Sequence, residues 1–231
     1  MQPSLAPHTR APTKTILFGV GQVATTLHYY LKRDPHFEVV AFTVDRAFMR
    51  EQTLAGVPVV PWDSVSAAYP PGEYSMMIAV GFVRANRLRA ERVAEAKALG
   101  YRLLSYVSPT ALLWDGFELG ENCRFGDNVM IQPFSSIGDN VFIGGGSIVG
   151  HHTMIHANCH LSSSVRLAGS VTVESFCYIG CNATIRDGVR IARSSVIGAG
   201  AVILGDTVPN GVYMAKAADL LPITSERLFS A

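Results

Sequence analysis

The chain has 231 residues, of which 48% are apolar and 16% are charged. This length and composition permit one elongated domain or two smaller domains with a substantial core. The 19 basic and 18 acidic side chains give a net charge of +1, which argues against broad binding to nucleic acid or to a membrane surface.

The first segment, residues 1–13, contains three prolines and has no continuous apolar stretch of the kind that a secretory signal needs. It is predicted to be a disordered lead-in. The longest apolar run elsewhere, near residues 76–83, is far too short to span a bilayer. A soluble, cytoplasmic protein is therefore expected.

Residues 14–107 begin with a β-rich run, Lys14 to Phe18, which leads into the glycine turn of residues 19–24 and a helix to about Arg33. A second strand, Glu38 to Val44, ends at Asp45. A strand, a glycine turn, a helix and a later acidic residue follow one another in nucleotide-binding units, where the glycines let the backbone approach a phosphate. A tight turn with no ligand accounts for this pattern equally well.

The rest of this region continues the alternation of strands and helices. A loop with prolines at 58, 61, 70 and 71 precedes a third strand, Tyr74 to Val80, which ends at Gly81. A helix from about Arg84 to Leu99, capped by Gly100, and a last strand, Tyr101 to Tyr106, follow. We predict a small α/β domain with a Rossmann-like parallel sheet. Because this is only half of a dinucleotide fold, a mononucleotide or an attached sugar suits it better than NAD.

A six-residue repeat dominates residues 108–212. All 16 positions at steps of six from Leu113 to Ile203 are large and apolar, and the residue four places later is usually small or β-branched. This period fits a parallel β-helix of very short strands, in which the aliphatic side chains fill the interior. The pattern resembles the hexapeptide repeat of β-helix acyltransferases, in which three hexads make one coil, and this resemblance implies about five stacked coils.

Beyond Ile203 the repeat breaks at Pro209. The tail, residues 213–231, is predicted to pack back as a cap through Leu220, Leu221 and Leu228, because the ends of solenoids need covering. Three of the four cysteines lie at the small inward place of the hexad: Cys123, Cys159 and Cys177. Buried free thiols are favoured, although Cys159 and Cys177 stack closely enough for a disulfide.

Four of the seven histidines cluster at 151, 152, 156 and 160. On a helix, His152, His156 and His160 would share one face and suggest a metal site. The hexads exclude that helix, since these residues occupy different hexad places and point in different directions. We therefore predict no metal.

This order of domains, a short α/β domain with a glycine turn followed by uninterrupted hexads, resembles the family of sialic acid O-acetyltransferases and the N-acetyltransferases of bacterial UDP-4-amino-sugars and GDP-perosamine. The resemblance covers about residues 15–212. It implies an all-β left-handed parallel β-helix, a homotrimer and acetyl-CoA bound between neighbouring β-helices. It also implies acetylation of an amino or hydroxyl group on a nucleotide-activated sugar for bacterial surface glycans.

The resemblance also assigns roles to individual residues. The catalytic histidine corresponds to His151, with His152 beside it. Acetyl-CoA contacts correspond to His160, Cys181 and Ala199. Contacts to the nucleotide-sugar correspond to Gly21, Gln22, Val23, Asp45, Arg46 and Gly81.

The chain departs from the family at His152, where the family has the carboxylate that polarises the catalytic histidine. His152 is then a second candidate base, or the group that fixes the tautomer of His151. The glycine turn and the final motif, 215–219, also differ from the family pattern. The alternative function is a non-catalytic β-helix trimer that binds a nucleotide-sugar as a scaffold or sensor, and an NAD-dependent oxidoreductase is a more distant one.

Overall fold

The computed structural model describes residues 11–114, 117 and 119–228. Most of the predicted lead-in, residues 1–10, lies outside them. The described chain forms an α/β sheet domain followed by a parallel β-helix. In this part of the chain, no helix is long and apolar enough to cross a membrane.

The sheet domain is built on six strands in the order β3-β4-β2-β1-β5-β6, all parallel except the β3–β4 hairpin. Its elements, in chain order, are β1 (Thr13–Phe18), α1 (Gln22–Leu31), β2 (Phe37–Val44), a 3-10 turn (Arg46–Phe48), β3 (Thr53–Leu54), β4 (Val57–Pro61), a 3-10 turn (Trp62–Ser64), α2 (Val65–Ala68), β5 (Ser75–Ile78), α3 (Arg87–Ala98) and β6 (Arg102–Leu103).

The two faces of this sheet bury separate apolar layers. Leu17 and Phe42 pack with Leu27 and Leu31 of α1 on one face. Ile16 and Met76, with others, pack beside α3 on the opposite face. Because side chains alternate across a strand, neighbouring residues of β1 serve different layers. The chain passes from β1 through α1 to β2 in one direction across the sheet, and from β5 through α3 to β6 in the other. The direction of winding therefore changes between β1 and β5.

Two predictions in this domain were wrong in detail. The proline-rich stretch after Gly56 is not only a loop, because β4 extends the sheet there and α2 follows it. The predicted helix from Arg84 starts only at Arg87. Residues 84–86 have left-handed backbones, with φ of 49°, 50° and 66°, a conformation that costs L-residues about 1–2 kcal/mol each. The glycine cap is confirmed, since Gly100 has φ of 91° and its N–H donates to the Lys97 carbonyl.

The β-helix consists of two-residue strands that pair with strands 18 residues away, as Met130 pairs with Ile148, except that the last strand pairs 16 residues back, Val212 with Val196. Three hexads therefore complete one coil. The strands are β7 (Tyr106–Val107), β8 (Leu112–Leu113), β9 (Arg124–Phe125), β10 (Met130–Ile131), β11 (Ser136–Ile137), β12 (Phe142–Ile143), β13 (Ile148–Val149), β14 (Met154–Ile155), β15 (His160–Leu161), β16 (Arg166–Leu167), β17 (Thr172–Val173), β18 (Tyr178–Ile179), β19 (Thr184–Ile185), β20 (Arg190–Ile191), β21 (Val196–Ile197), β22 (Val202–Ile203) and β23 (Val212–Tyr213).

These strands form three sheets around one core. The sheet β7-β9-β12-β15-β18-β21-β23, here called the docking face, carries the α/β domain; β8-β10-β13-β16-β19-β22 is the second face and β11-β14-β17-β20 is the third. The predicted aliphatic positions line the interior from Phe125 to Ile203, although Leu119 is 39% exposed. Cys123, Cys159 and Cys177 are buried free thiols, and burial raises the pKa of Cys123 to about 11.

From Asn122 to Gly200, every sixth residue is left-handed and lies in a corner between faces. Asparagine, glycine and serine occupy most of these positions, as expected for residues that tolerate positive φ. The exceptions with large side chains are Phe134, His152 and Phe176. Bulky residues in this conformation store strain and are often found at functional sites.

The α/β domain is fastened to the β-helix by a buried polar network. Asn140 bonds to Asn122 and Asn158 in the adjacent coils, at 2.9 and 2.7 Å. Arg89 of α3, only 4% exposed, donates to Asn140 and to the Cys159 carbonyl at 2.9 and 3.0 Å. Burial lowers the pKa of Arg89 to about 10. Since these donors meet oxygens of the β-helix, the network fixes how the two parts sit together.

The two ends of the β-helix also differ from the predictions. The expected strand Tyr101 to Tyr106 is split, because Arg102–Leu103 completes the sheet domain whereas Tyr106 already pairs with Arg124 in the docking face. The tail begins on the β-helix, because Tyr213 pairs with Ile197 and packs against the core. The three leucines expected to form the cap do not pack back: Leu220 is 98% exposed, Leu221 is 63% exposed and Leu228 is 56% exposed. These three side chains are not covered by the described part of the chain.

Candidate active site

The predicted catalytic pair lies on the corner between the second and third faces, in the turn that joins β13 to β14. His151 and His152 are both exposed, and their Nδ1 atoms are 3.1 Å apart. A neutral imidazole has one donor and one acceptor nitrogen. If His152 accepts from Nδ1–H of His151, then Nε2 of His151 is left as a proton acceptor.

The neighbouring coils hold this pair in place. The His151 N–H donates to Oε1 of Gln132 at 3.0 Å, and the His152 N–H donates to the Pro133 carbonyl at 3.1 Å. The ring of His151 lies over Gly169, where a Cβ atom would come within 2.5 Å of Cε1. A side chain at position 169 would therefore displace the imidazole.

Aromatic side chains surround the pair on the side of the preceding coil. Phe134 packs on the ring of His152 with centroids 4.8 Å apart. A cavity of about 280 Å³ opens next to it, lined by Trp114, Phe117 and Gln132 among others. The histidine corner is therefore bordered by a recess with an aromatic and partly polar lining, which the hexad pattern alone did not reveal.

His160 lies elsewhere, on the docking face. It is 9% exposed and stacks between Phe142 and Tyr178, with centroids at 4.4 and 5.4 Å. Burial, together with the nearby cations Arg89 and Arg124, lowers its pKa to about 3. Within the described residues its Nδ1 has no hydrogen-bond partner. His160 is thus a neutral residue under the α/β domain in this chain, and it is not beside His151.

Cys181 and Ala199 share one exposed corner, between the docking face and the second face. Small residues also occupy this corner in the coils before them, at Gly145 and Ser163. The second face separates this corner from the histidine corner. A single chain therefore does not bring His151 together with Cys181 and Ala199.

The glycine turn lies at the carboxyl ends of β1 and β5. Gly19 has φ of 117°, and a Cβ there would come within 2.8 Å of the Ala79 carbonyl, so only glycine fits. Gly21 is exposed at the start of α1, and Val23 approaches Gly81, where a Cβ would lie 3.6 Å from Val23 Cγ2. The structure thus brings Val23 close to Gly81, at the point where the sheet changes its winding direction, and Gly21 and Gln22 lie just before Val23 at the start of α1.

The charged pair predicted after β2 is already engaged with the rest of the domain. Asp45 accepts from Nη2 of Arg92 at 2.7 Å, and Arg46 donates to Asp63 at 2.6 Å. Arg92 also lies over the ring of Phe18, which belongs to the α3 side of the sheet. Asp45 therefore points towards α3 rather than towards α1.

A cavity of about 360 Å³ lies on the α1 side of the sheet, beside the glycine turn. The sequence analysis missed its polar residues, Arg50 and Glu51, because the irregular segment after Asp45 has no periodic pattern. The residues lining it are Val20, Gly21, Phe48, Arg50, Glu51, Leu54 and Val59. Among the described residues, no group of three or more metal-ligating side chains lies close enough to hold a metal ion.

Comparison with known proteins agrees with this architecture. The family described as "Bacterial transferase hexapeptide (six repeats)" matches residues 118–151, 134–169 and 170–205. An Agrobacterium fabrum acyl-[acyl-carrier-protein]–UDP-N-acetylglucosamine O-acyltransferase is 31% identical over 121 residues, covering 46% of this chain and 43% of that protein. The chain spans about half the length, or less, of the curated relatives that it matches. Repeat and fold together define a hexapeptide-repeat β-helix protein.

Solved structures cover more of the chain. A mutant form of perosamine N-acetyltransferase from Caulobacter crescentus, in complex with CoA and GDP-perosamine, is 28% identical with a TM-score of 0.80, over 87% of this chain and 93% of that chain. The acetyltransferase domain of PglB from Neisseria gonorrhoeae, at 24% identity and a TM-score of 0.78 over 90% and 99% of the two chains, shares the fold. In its repeats and its fold, this chain is similar to the N-acetyltransferases among the hexapeptide acyltransferases.

Proposed function

We propose that this protein transfers an acetyl group from acetyl-CoA to an amino or hydroxyl group of a nucleotide-activated sugar, in the cytoplasmic biosynthesis of a bacterial surface glycan. The observation that carries the proposal is the exposed His151, whose ring is held over Gly169 and whose Nδ1 faces His152. The likeness to a perosamine N-acetyltransferase bound to CoA and GDP-perosamine supports the choice of substrates.

In the proposed reaction His151 acts as the general base. Its Nε2 takes the proton from the acceptor nitrogen or oxygen as that atom attacks the thioester carbonyl. The new bond to the acetyl carbon forms, the carbon–sulfur bond breaks, and the proton passes from His151 to the departing thiolate. An imidazole suits this task because its ordinary pKa is about 6.5, and a positioned base contributes roughly 10²–10⁴-fold in rate.

His152 is proposed to orient the base. Its Nδ1, 3.1 Å from Nδ1 of His151, accepts the hydrogen bond that the family carboxylate would otherwise accept from Nδ1–H of His151. A neutral imidazole polarises His151 less than a carboxylate does, so His152 mainly selects the tautomer. The left-handed backbone of His152, with φ of 57°, holds its ring at this position.

Acetyl-CoA is proposed to lie along the corner that carries Cys181 and Ala199. The small residues of that corner leave room for the extended acetyl-CoA molecule, and this room is the observation that supports the placement. Because the second face separates this corner from His151 within one chain, we propose a homotrimer in which one chain supplies the corner and its neighbour supplies His151. His160 would support the acetyl-CoA site from beneath the corner, since it is buried on the adjoining docking face.

The nucleotide-sugar is proposed to bind where β1 and β5 end. The amides that open α1 at Gly21, Gln22 and Val23 suit a diphosphate, because the helix N-terminus carries unpaired N–H groups and partial positive charge. Gly81 allows the sugar to approach. Asp45 and Arg46 begin the segment that borders the proposed nucleoside site, with their side chains bonded to Arg92 and Asp63. The finer features of the fold, a Rossmann-like sheet and a left-handed β-helix, belong to the same proposal.

An acetyl-transfer assay tests this function. The purified chain is incubated with acetyl-CoA and a panel of UDP-, GDP- and dTDP-linked amino sugars, and the products are identified by mass spectrometry. We expect one class of amino sugar to gain a single acetyl group. Binding of a nucleotide-sugar without transfer to any acceptor would instead favour the non-catalytic scaffold.

A further inference from the structure

The cavity beside the glycine turn contains two charged side chains and one exposed ring. Phe48 is 64% exposed, and Arg50 and Glu51 are also exposed. Apolar residues, Val20, Leu54 and Val59, form the rest of the wall. Gly21 lines the same cavity, so a diphosphate at the start of α1 would place its nucleoside within reach of these three side chains.

The charged groups of this cavity are available for a ligand. In the part of the chain that the structure describes, no hydrogen bond or ion pair engages the side chains of Arg50 or Glu51. Their neighbours Asp45 and Arg46 are bonded to Arg92 and Asp63. The free charges beside the glycine turn are therefore those of Arg50 and Glu51, one of each sign.

One nucleobase matches this pair. Guanine presents two adjacent donors, N1–H and the N2 amino group, which suit the two acceptor oxygens of a carboxylate. Its O6 and N7 are adjacent acceptors, and Arg pairs with them through two hydrogen bonds. An exposed phenyl ring such as Phe48 offers a face for stacking, and stacking of a base on an aromatic ring contributes about 1–3 kcal/mol.

The other bases fit the carboxylate less well. Uracil and thymine present a single N–H between two carbonyl oxygens, which would face Glu51 with like partial charge. Adenine and cytosine place an acceptor nitrogen next to their amino group, so one carboxylate oxygen would be left opposite an acceptor. A carboxylate therefore selects guanine by repelling the alternatives as well as by binding it.

We propose that this cavity binds the guanine base of a GDP-linked sugar, with Glu51 on N1 and N2, Arg50 on O6 and N7, and Phe48 against the ring. This inference rests on the proposed function, which requires a nucleotide-sugar but does not name its base. It makes Glu51 the carboxylate that determines base specificity, whereas Asp45 is held by Arg92 on the α3 side.

Calorimetric titration of the full chain with GDP, IDP and UDP tests the proposal. IDP differs from GDP only in lacking the N2 amino group, and each well-made pair to a base is worth about 1–3 kcal/mol of discrimination, or roughly 10- to 100-fold. We expect GDP to bind at least about tenfold more tightly than either IDP or UDP. In Glu51→Gln, the affinity for GDP should fall to about the affinity for IDP. Glu73 is an exposed acid at the opposite end of the sheet. Glu73→Gln is therefore the matched control and should change neither the affinity for GDP nor the affinity for IDP.

The other outcomes separate the possible errors. UDP binding as tightly as GDP would overturn the guanine assignment and leave the proposed function standing. An equal loss of affinity for GDP, IDP and UDP in Glu51→Gln would place Glu51 on the ribose and would also overturn the guanine assignment. Failure of all three nucleotides to bind would contradict the nucleotide-sugar function itself. Arg50→Gln, which should weaken GDP more than UDP, provides a second variant at an exposed position.

Discussion

The imidazole of His151 lies against Gly169, the residue directly beside it in the next coil: a Cβ on Gly169 would come within 2.5 Å of His151 Cε1 and 2.7 Å of Nε2. Contacts this short do not occur between real atoms, so the ring can hold its position only while residue 169 is glycine. Gly169 has no positive φ that would demand glycine for the backbone alone. The absence of a side chain at Gly169 leaves space for the ring of His151.

Gly169→Ala should therefore impair catalysis without disturbing the fold. The added methyl group should push the imidazole away from the corner, and we expect turnover to fall at least about tenfold, because catalytic groups tolerate little displacement. Urea unfolding should show a change of less than about 1 kcal/mol, since the ring can swing into solvent.

The matched control is Gly205→Ala, where a new Cβ meets nothing within 4 Å. It should leave both turnover and stability near their original values. If Gly169→Ala retained full turnover, the position of the His151 ring in this structure would not be the one used in the reaction.

His160 should make the protein sensitive to acid. Its pKa is about 3 in the folded chain and about 6.5 when unfolded, so between these values the unfolded state binds the extra proton. Its contribution to stability is therefore complete above about pH 6.5 and decreases as the pH falls towards 3. The loss from this one group at pH 5 is roughly 2 kcal/mol.

His160→Phe keeps an aromatic ring between Phe142 and Tyr178 and removes the titrating group. We expect its urea midpoint to change less between pH 8 and pH 5 than that of the original protein, at one fixed protein concentration. His28, whose pKa burial also lowers, is present in both proteins and cancels from the comparison. An identical pH dependence in the two proteins would show that His160 is not buried in its neutral form.

The hexads could be predicted from sequence because every coil repeats the same local requirement. An aliphatic side chain such as Ile131 or Val149 faces the core at each sixth residue, and no long-range information is needed to place it. The same hexad register predicted that His151 and His160 point in different directions, and in the structure they lie on different parts of the coil. Stacked asparagines 18 residues apart, Asn122, Asn140 and Asn158, are also present in the sequence, although only the structure shows that Arg89 uses them.

The failures arose where distant contacts decide the local structure. The left-handed turn before α3 ends at Asn86, whose side chain donates to the Cys177 carbonyl of the β-helix at 3.2 Å. The local sequence around Asn86 does not predict that the Cys177 carbonyl is its partner. The cavity with Arg50 and Glu51 was missed for a related reason, since it is formed by an irregular segment, the glycine turn and β4 together.

Mixed trimers should test whether the active site is shared between chains. His151→Ala removes the base, and Ala199→Trp fills the corner proposed for acetyl-CoA, so each variant alone should be inactive. If neighbouring chains complete each site, unfolding and refolding an equal mixture should restore about a quarter of the original sites by random assembly. The two variants refolded separately and then combined provide the control. Absence of any recovery in co-refolded trimers, or a stable monomer in sedimentation at micromolar concentration, would contradict the shared site.

The central claim is that His151 removes the acceptor proton during acetyl transfer. The direct measurement is turnover of His151→Ala and His151→Asn on the acceptor found in the transfer assay, with acetyl-CoA affinity measured in parallel by calorimetry. We predict a loss of roughly 10²–10⁴-fold in kcat with acetyl-CoA affinity nearly unchanged, a smaller loss for His152→Ala, and intact or higher activity for His152→Glu. Near-normal turnover of His151→Ala on that acceptor would contradict the account.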